Sequence, residues 1–391
     1  MSATELPPDT GGIDLAALAR GERLPDYASA LGETRRQLEI CNACRYCESY
    51  CAVFPAMAQR RAFSSGDLAY LANLCHNCRG CYYACQYTPP HEFAVNLPRA
   101  LAEVRHLSWA EYAWPTPLAQ AFRRNGLVLA LALAFGIAAI LLLAALATGD
   151  SSRSAGFYAV ISHTAIVALF GPVFLLALVA MGMSLARFWR ATASPSADAG
   201  AVSAAVVDVA TMKNLSGGHG EGCNYENEDE FTQVRRRYHQ ATLWGFLLCF
   251  ASTVSGTILH YVLALPAPYG FWSLPKLLGI PGGILLCVGT AGLFALKLRS
   301  DPLLDARELN GIDTGFTVLL FLTGLTGLLL YVLRDTPLLT LMLALHLGAV
   351  LALFATLPYS KMVHGLYRLA ALVRSAKDTR TAPPASGGEG G

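Results

Sequence analysis

The sequence predicts a mainly α-helical protein, with a small cysteine-rich helical domain placed before a bundle of six membrane-spanning helices. Three observations predict this. Charged residues make up only 14% of the 391-residue chain while 54% are hydrophobic, against about 25% charged in ordinary soluble domains. Eight of the eleven cysteines lie between residues 41 and 85. Six long apolar stretches then follow in succession.

The cysteine region comes first. Residues 1–36 read as a loosely held N-terminal tail with a short helix near Leu15–Arg20, and residues 37–115 as the cysteine domain. The opening 40 residues lack a basic region followed by an apolar run, so no secretory leader is expected. The cysteines are therefore expected to face a reducing compartment, where thiolates bind metal rather than pair as disulfides. Their spacing is Cys41-x2-Cys44-x2-Cys47-x3-Cys51, repeated as Cys75-x2-Cys78-x2-Cys81-x3-Cys85. Three thiolates from such a tight loop wrap one cubane, and the following segment carries the fourth away to the other cluster. By that crossed wiring one [4Fe–4S] cluster takes Cys41, Cys44, Cys47 and Cys85, and a second takes Cys75, Cys78, Cys81 and Cys51. The first domain is then a helical two-[4Fe–4S] ferredoxin-like unit. Two zinc sites are the competing reading, but zinc favours paired C-x2-C knuckles. Bacterial ferredoxin runs place proline after the fourth cysteine, whereas Ala52 and Gln86 stand here, with Pro55 and Pro89 a little later.

Ala100–Arg105 reads as helix, and Trp109, Tyr112 and Trp114 lead to the bilayer surface, where amphipathic rings concentrate. The transmembrane domain is expected over residues 120–375. Its spans are Leu127–Ala147, Phe157–Phe188, Gln240–Leu265, Leu277–Leu298, Phe316–Leu333 and Leu338–Val363. Each reaches or approaches the ~20 residues that cross a ~30 Å hydrocarbon core. A loop over residues 191–234 and a disordered tail over 376–391 complete the chain.

Basic residues fix the expected orientation. Thirteen, from Arg123 and Arg124 through Arg235–Arg237 to Arg374, flank the side of the cysteine domain; Arg153, Lys276 and Arg334 alone flank the other. The cysteine domain and both termini are thus expected in the cytoplasm of a bacterium, with the spans in its inner membrane. A net charge of +2 gives no reason to invoke nucleic acid.

Ionisable side chains inside a bilayer are functional suspects. His346 and His364 lie 18 residues apart, five helical turns and roughly 27 Å along one face of the last span. His239 and His260 lie 21 residues apart on the third span, ~31 Å along it and within about 60° of one face. Antiparallel helices would then offer His239 with His364, and His260 with His346, as axial ligands of one or two b-type haems. His163 competes for the outer pair. Lys361 and Arg236 are candidates for haem propionates. In the loop, His219 and Cys223 form an H-x3-C pattern that could touch a partner flavin or a metal; Cys249 and Cys287, within spans, are expected to pack as small apolar residues.

Beyond these motifs the sequence resembles the tricarballylate (citrate) utilization protein B family. The likeness rests on Arg236-Arg237-Tyr238-His239-Gln240, Trp244-Gly245-Phe246-Leu247-Leu248-Cys249-Phe250-Ala251-Ser252-Thr253, His260-Tyr261 and Pro266-Ala267-Pro268-Tyr269. Leu357-Pro358-Tyr359-Ser360-Lys361-Met362-Val363-His364-Gly365 and Gly220-Glu221-Gly222-Cys223-Asn224-Tyr225 extend it. It covers roughly residues 37–375. The resemblance implies a subunit that reoxidises the FAD of a separate cytoplasmic tricarballylate dehydrogenase and passes electrons to membrane quinone. A related membrane region is fused to a flavoprotein of cobalamin synthesis, so another dehydrogenase is an alternative partner. Subunits of heterodisulfide or nitrate reductase complexes, and a membrane-anchored iron–sulfur maturation protein, are the other readings. The last has no need of histidines matched across helices.

Overall fold

The computed structural model describes residues 26–147, 160–192, 196–217, 220–225, 230–265, 267–306 and 309–381. The expected helix at Leu15–Arg20, together with His219 and residues 382–391, lies outside them. The described residues are mainly helical, and the one β contact among them is an isolated bridge between Cys223 and Thr232.

The cysteine domain is built from five helices: α1 (Tyr27–Cys44), α2 (Val53–Ala58), α3 (Ser65–Leu74), α4 (Gly80–Tyr83) and α5 (Leu97–Glu111). Helix α1 starts ten residues earlier than the expected domain boundary. The Asp26 carboxylate accepts the Ser29 N–H and caps it, and Ala30, Leu31, Thr34, Gln37 and Leu38 go into the core. Helix α3 opens on a reciprocal capping box between Ser64 and Asp67, which satisfies two N–H groups that a helix start otherwise leaves bare. It is the central element, with Leu68, Leu71 and Leu74 fully buried among α1, α5 and the chain's last helix. Truncating one such leucine to alanine costs about 2–5 kcal/mol.

The remaining helices are α6 (Thr116–Ala147), α7 (His163–Ala191), α8 (Ala199–Thr211), α9 (Val234–Tyr261), α10 (Leu274–Arg299), α11 (Asn310–Leu333), α12 (Leu339–Thr356) and α13 (Val363–Thr381). Six helical stretches are long and apolar enough to cross a membrane. Their outer faces carry exposed apolar side chains such as Ile140, Leu143, Leu175 and Val288, the surface that hydrocarbon requires. Helix α6 bends at Asn125, whose φ and ψ are −140° and 41°.

Three expectations change. The loop over 191–234 contains α8, capped by the Asp198 carboxylate on the Ala201 N–H, with Ala201 and Ala205 buried in the same core as Ala371 and Leu372. The last apolar stretch is not one helix. It breaks at a 3-10 turn, Leu357–Tyr359, after which Ser360 is extended (φ −95°, ψ −179°). Pro358 has no N–H to continue the α-helical ladder, so His346 and His364 sit on different helices and the five-turn phase between them does not hold. Finally, the C-terminal stretch expected to be disordered from 376 is helical through Thr381, held by Asp378 against Arg60 (3.1 Å) and Arg380 against Asp198 (3.1 Å).

Packing between spans relies on small residues, as helix contacts in lipid do. A Cβ at Gly245 would stand 2.5 Å from the Leu286 backbone nitrogen, and one at Gly289 would stand 2.5 Å from that of Thr242. The α9–α10 hairpin is therefore closed backbone to backbone. Gly289→Ala is expected to lower the thermal midpoint in detergent, by about 1–3 kcal/mol of overpacking. Gly171→Ala, where a Cβ meets nothing within 4 Å, is the control and should be neutral or stabilising.

Asp67 ties α3 to both flanks, at 2.8 Å from Arg60 and 3.0 Å from Arg374. Burial alone would raise its carboxyl, but the Ser64 hydroxyl and the two arginines outweigh it and hold the group below the usual range. A depressed carboxylate lends stability that is present above the unfolded value of about 3.9 and lost as pH falls through the folded value. Protease cleavage near α13 is expected to rise on acidification below about pH 4, and Asp67→Asn should show that sensitivity already at neutral pH.

Candidate functional site

The eight clustered cysteines line two adjoining pockets. Cys41, Cys44, Cys47 and Cys85 surround a cavity of about 240 Å³, walled by Tyr46, Tyr82 and Tyr87. Cys51, Cys75 and Cys78 line a much smaller, tighter cavity with His76, Asn77 and Arg79. Cys81 borders both. Each motif's fourth cysteine thus stands with the other motif's first three. Among the described residues no three His, Cys, Asp or Glu side chains close on a single point tightly enough for one bare ion.

Local backbone explains the placement. Helix α1 ends with Arg45 in the left-handed region (φ 56°), whose N–H returns to the Cys41 carbonyl at 2.8 Å. The chain reverses there, so Cys41, Cys44 and Cys47 face one side. In the second motif Asn77 (φ 54°) and Arg79 (φ 68°) make the same kind of reversal. Backbone N–H groups already point at sulfur: Asn77 to Cys75 and Tyr87 to Cys85, each at 3.4 Å.

The pockets differ in exposure. Cys44 is exposed and Tyr46 is 68% exposed, whereas Cys75 is buried. Burial, then the neighbouring thiols, push Cys41 up to about 12 and Cys47 to about 11. Burial, with Cys223 adding, pushes Cys78 to about 12. Such thiols stay protonated until a cation replaces the proton.

The second motif is the one seated on the spans. Arg235 of α9 donates to the carbonyls of His76 (3.1 Å) and Asn77 (2.8 Å). Arg368 of α13 donates to Asn73 (3.3 Å) and Cys75 (2.8 Å), and Arg105 of α5 to Cys75 (2.9 Å). Tyr225 lies between the guanidinium groups of Arg79 and Arg235, 4.3 Å from each. Burial keeps the nearby His76 neutral, well below the usual imidazole range.

One helical turn from Arg235 stands His239, and one turn before Arg368 stands His364. Their ring centres are 6.0 Å apart. The His364 Nδ1–H donates to the Lys361 carbonyl, which leaves the Nε2 lone pair free. His239 Nδ1 is buried with no hydrogen-bond partner among the described residues. Trp109 lies 6.4 Å from His364.

The other histidines do not pair as expected. His260 stacks on His163, ring centres 4.3 Å apart and 19° from parallel, with Tyr261 edge-on. His346 Nδ1 lies 3.1 Å from the Thr326 hydroxyl, which itself donates to the Leu322 carbonyl at 2.6 Å. Lys361 and Arg236 also have protein partners, Asp313 and the Thr211 carbonyl (2.8 Å) respectively. Cys223 is fully buried, its thiol donating to the Leu215 carbonyl at 3.3 Å, so it offers no surface to a partner flavin. A Cβ at Gly282 would meet Cys249 sulfur at 3.1 Å and one at Gly324 would meet Cys287 sulfur at 3.0 Å, which makes both thiols packing groups.

Sequence reading missed the arginines around the second motif. The available signal was their spacing: Arg235 and Arg368 each lie four residues from a candidate ligand histidine, and Arg79 lies inside the motif.

No solved structure matches the chain. A family profile described as the Citrate utilization protein B Fer4-like domain matches residues 34–112, and one described as Citrate utilization protein B matches residues 118–385. The Citrate utilization protein B of Escherichia coli is 47% identical over 352 residues, covering 89% of this chain and 92% of that protein. With both regions matched in order, the chain belongs to the citrate utilization protein B family.

Proposed function

We propose that this protein is the membrane electron-transfer subunit of an oxidoreductase, carrying electrons from a flavoprotein dehydrogenase to quinone. The carrying observation is the His239–His364 pair set one helical turn beyond the arginines that grip the second cysteine motif. The Fer4-like match to the cysteine domain supports the reading.

The cysteines present fit iron–sulfur clusters. A single tetrahedral zinc would draw four sulfurs to about 2.3 Å, whereas the first pocket encloses about 240 Å³, room for a multi-atom core. In this reading Cys41, Cys44, Cys47 and Cys85 hold one [4Fe–4S] cluster, and Cys75, Cys78, Cys81 and Cys51 the other. His239 and His364 would hold a b-type haem. Two imidazoles bonded at about 2 Å to one metal put their ring centres roughly 6 Å apart, close to the 6.0 Å seen. The 4.3 Å stack of His163 on His260 is too short for a metal between them. Bound in these places, clusters and haem take up and release single electrons.

The protein's own residues hold and orient these centres. The Lys361 carbonyl fixes the His364 tautomer, the role a second-layer acceptor plays for a ligating histidine. In this reading the open face at Cys44 and Tyr46 receives the FAD-dependent dehydrogenase, of the tricarballylate type that the sequence resemblance implies; the relative's name speaks of citrate utilization. The same reading has this face in the cytoplasm and the spans in a bacterial inner membrane, and the basic-residue bias supports it. Quinone then accepts electrons within the bilayer. The maturation-protein reading gives no reason for the His239–His364 approach.

Anaerobically purified protein is expected to hold about eight non-haem irons and a single b-type haem. His239→Leu and His364→Leu should each abolish the haem absorption and retain the iron–sulfur signal, while His346→Leu keeps both. Absence of haem b from the unmodified protein overturns the haem assignment.

A further inference from the structure

We propose that Arg79, Arg105, Arg235 and Arg368 act as positioning residues that bias the second cysteine pocket towards its electron-rich state. They thereby set the order of the path: first pocket, second pocket, then the histidine pair. The inference rests on the two-cluster reading above and adds a direction to it.

Four cations converge on one pocket. Arg79 is 1% exposed and lines the cavity with Cys51, Cys75, Cys78 and Cys81. Its Nη1 reaches the Tyr225 carbonyl at 3.4 Å, but Nε and Nη2 are buried with no acceptor among the described residues. Arg105, 7% exposed, and Arg368 both donate to the Cys75 carbonyl, and Arg235 to the carbonyls of His76 and Asn77. Among the described residues none of the four is paired with a carboxylate.

A buried guanidinium cannot shed its proton, and leaving its donors bare in a tight pocket is costly. A thiolate-ligated cluster answers both needs, being anionic and rich in sulfur acceptors. Each added electron increases that negative charge, so fixed cations favour the reduced form, and in a water-poor pocket they are weakly screened. The first pocket contrasts. It opens on exposed Cys44, and neither lysine nor arginine lines it. Transfer from first to second pocket moves one electron: iron in the first is oxidised, iron in the second is reduced, and no bond or proton changes hands.

The test is an EPR-monitored redox titration of the full-length protein in detergent, with sodium dithionite as reductant and non-haem iron measured alongside. Two midpoints are expected. In Arg79→Gln, and separately in Arg368→Gln, the higher midpoint should fall and the lower should stay. Arg79→Lys, which keeps the charge, should restore most of the shift, as loss of packing alone would not. Arg45→Gln, at an exposed site on the first motif, should leave the higher midpoint in place. Unchanged midpoints in both variants, or movement of the lower one, overturn the inference while about eight irons leave the two-cluster reading standing. About four irons in the unmodified protein overturn that reading and the inference with it.

Discussion

The arrangement depends on how the carbonyl groups of residues 73–78 are satisfied. Beyond the end of α3 at Leu74 the segment cannot continue the helix ladder, because Asn77 and Arg79 are turned into the left-handed region to aim the cysteines. Its carbonyls are nonetheless buried, and buried carbonyls need donors. Arg105, Arg235 and Arg368 supply them from three different helices at residues 73 and 75–77, while His76 serves Leu74 and the Asn224 N–H serves Cys78. Because guanidinium donors are rigid and directional, the same contacts fix the tilt of the cysteine domain on the bundle. They also fix the distance from sulfur to histidine, since Arg235 and His239 share a helix, as do His364 and Arg368.

A second seam runs through His106, Asp313, Lys361 and Lys297. The His106 ring faces the Ala102 carbonyl at 2.8 Å on one side and the Asp313 carboxylate at 3.1 Å on the other. Both ring nitrogens of His106 therefore lie against protein oxygens, one on its own helix and one on α11. Lys361 and Lys297, at 3.6 Å, complete the charge balance. Breaking a buried pair of this kind costs about 3–5 kcal/mol, which makes it a lock on orientation more than a source of stability.

Much of this was legible in the sequence. The cysteine spacing predicted two groups of ligands with exchanged fourth members, and the pockets group the same residues. Hydropathy located the six membrane stretches, because length and apolarity are local properties. The meeting of His239 and His364 was also anticipated, although one argument for it, a shared helix face with His346, fails at Pro358. The outer histidines misled for a physical reason. Depth in the membrane follows from position along a helix, but rotation about its axis depends on packing, and packing turned His260 towards His163. Helix α8 and the start of α1 were invisible because alanine-rich and mixed sequences carry little periodicity. The arginine cage was hidden because basic residues near membrane ends have an ordinary explanation as anchors.

The broken last span has a mechanical side. Helix α13 begins at Val363 and ends at Thr381, so His364 sits at one end of a rod whose other end is clamped by Arg374 and Asp378 to Asp67 and Arg60. The turn at Leu357–Tyr359 uncouples that rod from α12 in the membrane. The C-terminus is therefore a handle on the histidine pair. A fusion or truncation that disturbs residues 374–381 pulls on an imidazole ten residues away, although the altered segment lines neither cysteine pocket.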